Sequence, residues 1–266
     1  MKKLLLVAGT LALVFSISIL SQGCSPTTST SPSTTPIPTP IATANGAVAQ
    51  ATIALGTSSS YAILSNSAIT NVPSSDITGN VGISPGVRAD ITGLTAPEVT
   101  GNIYASDDSL TIANMLIAAK TDALNAYNDG VAAGRGTPTS ISGNINGLTL
   151  APGLYESSSS IEISPGGKLY LDAQGNGNAV FILRSATTIT TSSTSEVVLA
   201  GGAQAKNVFW LAGSAMTLGT DSRMKGILIA NTSISCLTGS RIDGSVLIQG
   251  AAAAQITLDH TIIVKQ

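Results

Sequence analysis

The chain has 266 residues, 43% of them hydrophobic, yet only 3% aromatic and 10% charged, and its net charge is −2. Typical globular chains carry about 25% charged residues, so much of this surface must be Ser, Thr, Gly, Asn and Ala. The balance offers no basic field for nucleic acid and no acidic one for cationic partners, and a single histidine, His260, leaves little room for a zinc site.

Met1-Lys2-Lys3 and the apolar run from Leu4 to Leu20 predict an export signal over residues 1–23. The run is close to membrane-spanning length, so an uncleaved anchor is the alternative. Ser21-Gln22-Gly23-Cys24 resembles a bacterial lipobox, although Ser21 holds the place where that motif usually has Leu and Leu20 lies one earlier. Acylation of Cys24 would fix the protein to a membrane surface. The expected location is therefore the cell surface as a lipoprotein, in the outer membrane if the host has one, or the medium as a secreted protein. Residues 24–50 are rich in Ser, Thr and Pro and nearly uncharged, so they read as an extended linker.

The folded domain is expected over 51–266. Tyr61-Ala62-Ile63-Leu64 followed by Ser67-Ala68-Ile69-Thr70 is a wholly apolar run, a corner, then an alternating run. A second element, Val/Ile-Ser/Thr-Gly-Asn-Val/Ile, occurs at Ile77–Val81, Val99–Ile103 and Ile141–Ile145, where Gly-Asn suits a corner. Between them the period changes. Ile112, Leu116, Ala119, Ala123 and Tyr127, flanked by Ile117 and Leu124, form a helical stripe over about 107–133. Ser106, Asp107 and Asp108 are the cap candidates and Gly134-Arg135-Gly136 the stop. Such a helix could lie along the flank of several stacked coils.

The clearest repetition runs from Asn207 to Gln266. Val208-Phe209-Trp210-Leu211, Ile227-Leu228-Ile229 and Val246-Leu247-Ile248 each lead into an alternating run ending at Leu218, Cys236 or Leu258. A period near twenty residues predicts a triangular parallel β-solenoid with an α-helix packed along one face. The three faces differ. One is apolar on both phases and needs the helix to cover it. One carries Lys168, Tyr170, Asp172, Arg223, Lys225, Arg241 and Asp243. The third points Ile, Leu, Met and Cys236 inward and small neutral residues outward: Ala68 and Thr70, Thr188 and Thr190, Ala215 and Thr217, Ser233 and Ser235, Gln255 and Thr257. Glu162 breaks this pattern and marks a coil near an edge.

That third face is the candidate site. Strands ~4.8 Å apart with outward residues ~6.6–6.8 Å apart along each strand make a flat grid of hydroxyls and methyls, held by the stiff χ1 of Thr. Such a grid can order water in an ice-like layer. The plainer reading is that Thr suits exposed strands.

Further residues carry a family resemblance. Leu55-Gly56-Thr57 through Ser84-Pro85, Ala126-Tyr127-Asn128-Asp129, Leu150-Ala151-Pro152-Gly153-Leu154-Tyr155 and, most specifically, Leu199-Ala200-Gly201-Gly202-Ala203-Gln204-Ala205-Lys206-Asn207-Val208-Phe209-Trp210 resemble the microbial ice-binding proteins with a discontinuous β-solenoid. The resemblance spans about Ala51 to Val264. It implies a right-handed solenoid whose N-terminal coil is completed out of sequence order, and an irregular flat face that adsorbs to ice, giving thermal hysteresis and inhibiting recrystallisation. It also implies that Leu94–Ile103 is too short for the capping insertion of some relatives. The expected partner is an ice crystal surface, with no cofactor or metal, a membrane only through Cys24, and a monomeric state.

A surface adhesin or polysaccharide-binding module on the same solenoid is the alternative, but it usually needs exposed aromatics, whereas Phe209 and Trp210 sit in a doubly buried strand. A solenoid enzyme would need converging carboxylates, and Glu196, Asp221 and Asp243 are scattered. Cys236 reads as a packed thiol and His260 as a surface residue or local hydrogen-bond partner.

Overall fold

The computed structural model describes residues 49–266 apart from 142, 251 and 252. The expected export signal, Cys24 and the expected linker up to residue 48 lie outside the described residues.

Among the described residues all pairings between strands are parallel, and the strands stack into the three faces of a solenoid. Two apolar cores result. One fills the solenoid and includes Ile69, Ile77, Leu183, Trp210, Met216, Leu228, Cys236 and Ile256. The other lies between one face and the helix and includes Leu64, Leu116, Ala119, Ala123, Ile182, Phe209, Leu211 and Ile229. Alternation within single strands divides the two: Trp210 points inward and Phe209 toward the helix, each at most 1% exposed. A strand apolar on both phases is thus buried on both sides.

The helix runs Leu110–Val131, inside the 107–133 expected. Its cap is Ser109, whose side chain accepts from Ile112 N at 3.2 Å, and not Ser106, Asp107 or Asp108. Asp108 is engaged elsewhere: it accepts from Ala105 N at 2.8 Å and pairs with Arg88. The buried residues are Leu116, Ala119, Ala123, Ala126 and Gly130. Small residues let the helix lie close, and a Cβ on Gly130 would sit 2.2 Å from Leu211 Cδ1. Ile112 and Tyr127 are only half-buried, and Ile117 and Leu124 face solvent. Twenty-two residues span about 33 Å at 1.5 Å per residue, nearly the ~34 Å of eight strands stacked at ~4.8 Å.

That length explains the connectivity. Ile103–Ala105 pairs on Asn80–Ile83, which pairs on Tyr61–Ser65, and Tyr61–Ser65 pairs on Arg241–Ile248 near the C-terminus. The helix then carries the chain to the far end, where Thr139–Ser140 lies under Gly153–Ser157. Later coils climb back to meet the first. The segment Leu94–Ile103 holds no capping insertion: Val99–Thr100 pairs on Asp76–Thr78 as part of one more coil.

Each corner has its own chemistry. Entering the third face, Ser65, Ser157 and Ser185 each donate from Oγ to the carbonyl three residues on, at 2.7, 2.8 and 3.0 Å. Leaving it, Thr194, Asp221, Gly239 and His260 all have φ between 48° and 71°. Their amides interlock between levels, Thr194 N donating to Thr220 O and Asp221 N to Thr238 O. His260 occupies this left-handed position, which few residues other than Gly adopt readily, and its Nδ1 lies 2.6 Å from Asp259 Oδ1. At the third corner Arg223–Ala230 and Arg241–Ile248 run on as continuous strands through Gly226 and Gly244.

One corner reading is corrected. Ile141–Ile145 does not repeat the bend of Ile77–Val81: Gly143–Asn144 is a strand of the third face, paired under Ile161 and Glu162. The Gly-Asn dipeptide fits both sites because its backbone freedom is needed in each (Gly79 has φ 128° and Gly143 φ 61°).

Candidate ice-binding face

The third face is an eight-stranded parallel sheet. From one edge its strands are Ile91–Thr92, Ala68–Val72, Gln255–Asp259, Ser233–Cys236, Ala215–Leu218, Ile189–Thr191, Ile161–Ile163 and Gly143–Asn144. Inward, Ile69, Ile256, Ile234, Met216, Ile189 and Ile161 stack in register, each at most 1% exposed. Close packing beneath the surface holds the strands rigid.

The outward residues fall into two columns. The first contains Ala68, Gln255, Ser233 and Ala215 in direct register. Thr188 precedes the next strand, half-buried, and its carbonyl accepts from Ile161 N at 2.9 Å. The second column reads Thr92, Thr70, Thr257, Ser235, Thr217, Thr190, Glu162, Asn144 without a register shift. Of the ten residues singled out from the sequence, nine therefore stand on strands of this one sheet and Thr188 on the residue just before one. Six successive hydroxyls stand in the second column before Glu162 interrupts it. Glu162 sits one level in from the edge, and Ser192 Oγ lies 3.4 Å from its carboxylate.

Sequence reasoning missed Thr92 at one end of the column and Asn144 at the other. Thr92 Oγ1 lies 3.5 Å from Thr70 Oγ1. Its only signal was Ile91-Thr92 echoing Ile69-Thr70, hidden because the strand has two residues and follows a tight turn. Beyond the columns Val72 and Leu237 are 49% and 44% exposed, adding apolar area to the sheet's margin.

Electrostatics separate this face from its neighbour. On the charged face Lys168 Nζ lies 3.0 Å from Glu196, Arg241 lies 2.8 Å from Asp243, and Lys225 also pairs with Asp243. A groove lined by Leu199, Gln204, Lys206, Lys225 and Asp243 opens there, not on the flat sheet. At the sheet's margin the Thr238 hydroxyl, and then His260, hold the Asp259 carboxyl below its usual range. Cys236 packs inside, and burial pushes its thiol up to about 12. Among the described residues no three His, Cys, Asp or Glu gather as a metal site.

A register-aligned, uncharged hydroxyl column on a discontinuous solenoid agrees with the comparisons to known proteins. The Ice-binding-like family matches residues 63–264. The chain belongs to that family. Among its relatives are ice-binding proteins of Leucosporidium sp. (strain AY30), 35% identical over 76% of this chain and 81% of that one, and of Flavobacterium frigoris (strain PS1), 38% identical over 76% and 74%. Similar solved structures include an ice-binding protein from an Antarctic biological consortium, with TM-score 0.74 and 37% identity over 82% of this chain and 93% of that one. Another, from Arctic yeast and described for its antifreeze activity, has TM-score 0.74 and 32% identity over 81% and 94%. As a family member the chain shares their β-solenoid with one long helix.

Proposed function

We propose that this protein adsorbs to ice through its eight-stranded face and so limits ice growth and recrystallisation. The observation that carries the reading is the unbroken column Thr92, Thr70, Thr257, Ser235, Thr217, Thr190. Its members repeat at the strand spacing of ~4.8 Å, close in scale to the oxygen spacings of ice. Hydroxyls fixed by backbone and χ1 can hold a water layer in place, and the methyls exclude competing disorder. Adsorbed molecules pin the ice front between them, an action that needs neither a catalytic group nor a cofactor. Kinship with proteins named for ice binding supports the same reading. An export signal and Cys24 in a lipobox-like setting support placing the domain at the cell surface, where adsorption would protect the surroundings or hold the cell to ice. Sugar recognition is disfavoured because Phe209 and Trp210 are buried.

Splat-cooled recrystallisation tests the reading. Wild type should keep ice grains small, and Thr217→Tyr should lose that effect by roughly tenfold in concentration while melting like wild type. Arg223→Tyr, on the charged face, should retain it. An inactive wild type overturns ice binding itself; a fully active Thr217→Tyr overturns the choice of face.

A further inference from the structure

The strand Ile91–Thr92 is poorly secured by its own pairing. It has two residues and a neighbour on one side only, Ala68–Val72. An edge of this kind frays readily, because few backbone bonds oppose its opening. Yet Thr92 stands in register with Thr70, and its Oγ1 lies 3.5 Å from Thr70 Oγ1. Side chains must supply what the pairing lacks.

The carboxylate of Glu98 is at the centre of them. Its Oε2 accepts from Thr95 N and Thr95 Oγ1, both at 2.8 Å, closing the turn that follows Thr92. Its Oε1 accepts from Ser75 N at 2.8 Å and from Asn71 Nδ2 at 3.0 Å, one level below. The same Asn71 amide donates to the carbonyl of Gly93, the residue after Thr92, at 3.0 Å. Both Nδ2 protons of Asn71 are therefore used. The Asn71 side chain points inward between outward Thr70 and Val72 and is 5% exposed. Its Oδ1 accepts from Ser75 Oγ at 2.7 Å, and Ser75 Oγ accepts in turn from Thr261 N at 2.9 Å.

This staple crosses three levels at the corner where the chain leaves the flat sheet. Gly93 and Thr95 belong to the level of Thr92, Asn71 and Ser75 to that of Thr70, and Thr261 to that of Thr257. Lower in the stack the corner is held by interlocked amides of left-handed residues. His260 ends that series, its amide donating to Val72 O at 3.2 Å. Above it the side chains take over. Burial alone would raise the Glu98 carboxyl, but the bonds from Ser75, Thr95 and Asn71 outweigh it and hold the group below its usual range. All its donors thus meet an ionised acceptor at neutral pH, and charge-assisted bonds are the stronger kind.

We propose that Glu98, acting through Asn71 and the Gly93 carbonyl, is the positioning residue that holds Thr92 in the ice-adsorbing column. The inference rests on the ice-adsorption reading above. Glu98 itself lies off the flat sheet, so its effect runs through the placement of Thr92. Two carboxylates thus bound the column in opposite ways: Glu162 ends it by standing in it, and Glu98 extends it from behind.

The test is a double-mutant cycle on the full chain, read as recrystallisation inhibition. Thr92→Ala and Glu98→Ala should each raise the concentration needed to halt grain growth by about threefold. The double variant should be no worse than either alone, because both remove the same level of the column. Glu98→Gln, with one acceptor oxygen in place of two, should fall between wild type and Glu98→Ala. It also answers the question if Glu98→Ala fails to fold. Amide hydrogen exchange in Glu98→Gln should quicken over residues 91–95 and stay unchanged in Ser233–Cys236. Losses that multiply in the double variant, or exchange quickened equally in both segments, would reduce Glu98 to general stability and overturn the proposal. Full activity in Glu98→Ala beside an active wild type overturns the proposal alone. An inactive wild type overturns ice adsorption and the proposal with it.

Discussion

Thr70 and Thr257 stand in direct register on neighbouring strands, although they come from opposite ends of the folded domain. Their adjacency joins the N-terminal coil's hydroxyls, Thr92 and Thr70, to the four supplied by the C-terminal coils. If adsorption uses the whole column, Thr70→Tyr should weaken recrystallisation inhibition as much as Thr257→Tyr, by roughly tenfold. Activity untouched by Thr70→Tyr would restrict the working face to the C-terminal coils.

Glu162 ends the column with a charge that organises water around itself. Glu162→Thr adds a seventh uncharged level above Asn144, in register with Thr190. The concentration needed to halt grain growth should fall by roughly twofold, about 0.4 kcal/mol. A charge-preserving Glu162→Asp should bring no gain. Equal effects of the two substitutions would count against charge as the boundary.

Gly226 turns the corner between the charged and helix-covered faces with φ 118°, and an added Cβ would lie 2.6 Å from Val208 O. Both strain and contact oppose a side chain. Gly226→Ala should cost about 3 kcal/mol in urea unfolding or prevent folding. Gly134→Ala, with nothing within 4 Å of the new atom, should fall within about 0.5 kcal/mol of wild type. Comparable losses at both positions would refute a specific role for the glycine corner.

Lys120 is held against the Ile248 carbonyl under the helix, and burial lowers its pKa from 10.5 to about 7. Between those values the unfolded chain binds more protons than the folded one, so this residue makes stability rise with pH from about 7 toward 10.5. Below 7 both states are charged and burial of the ammonium opposes folding. Lys120→Met should raise the melting temperature at pH 6 and flatten the rise between pH 7 and 9.5, an effect of the order of a few kcal/mol. The difference between variant and wild type is the quantity to follow, because the raised pKa values of Tyr61 and Tyr155 act on both chains above pH 10. An unchanged slope would show that the amine is solvated.

Much of this protein was legible in residue order because a solenoid repeats local chemistry. Alternation between apolar and small polar residues separates inward from outward along each strand, so Thr217, Ser235 and Thr257 could be placed on one face from their phase alone. Runs apolar on both phases announced the buried face, and the 3.6-residue stripe announced the helix that covers it. Phase, however, fixes orientation within a strand and says nothing about which strands are neighbours. Only the tertiary structure seated Ala68–Val72 against Gln255–Asp259, took Gly143–Asn144 from the corner motif into the flat sheet, and extended the column to Thr92. Those placements depend on a 22-residue helix whose length matches the stack and returns the chain to its far end. Local periodicity determined the faces; the reach of one helix decided the order in which they were assembled.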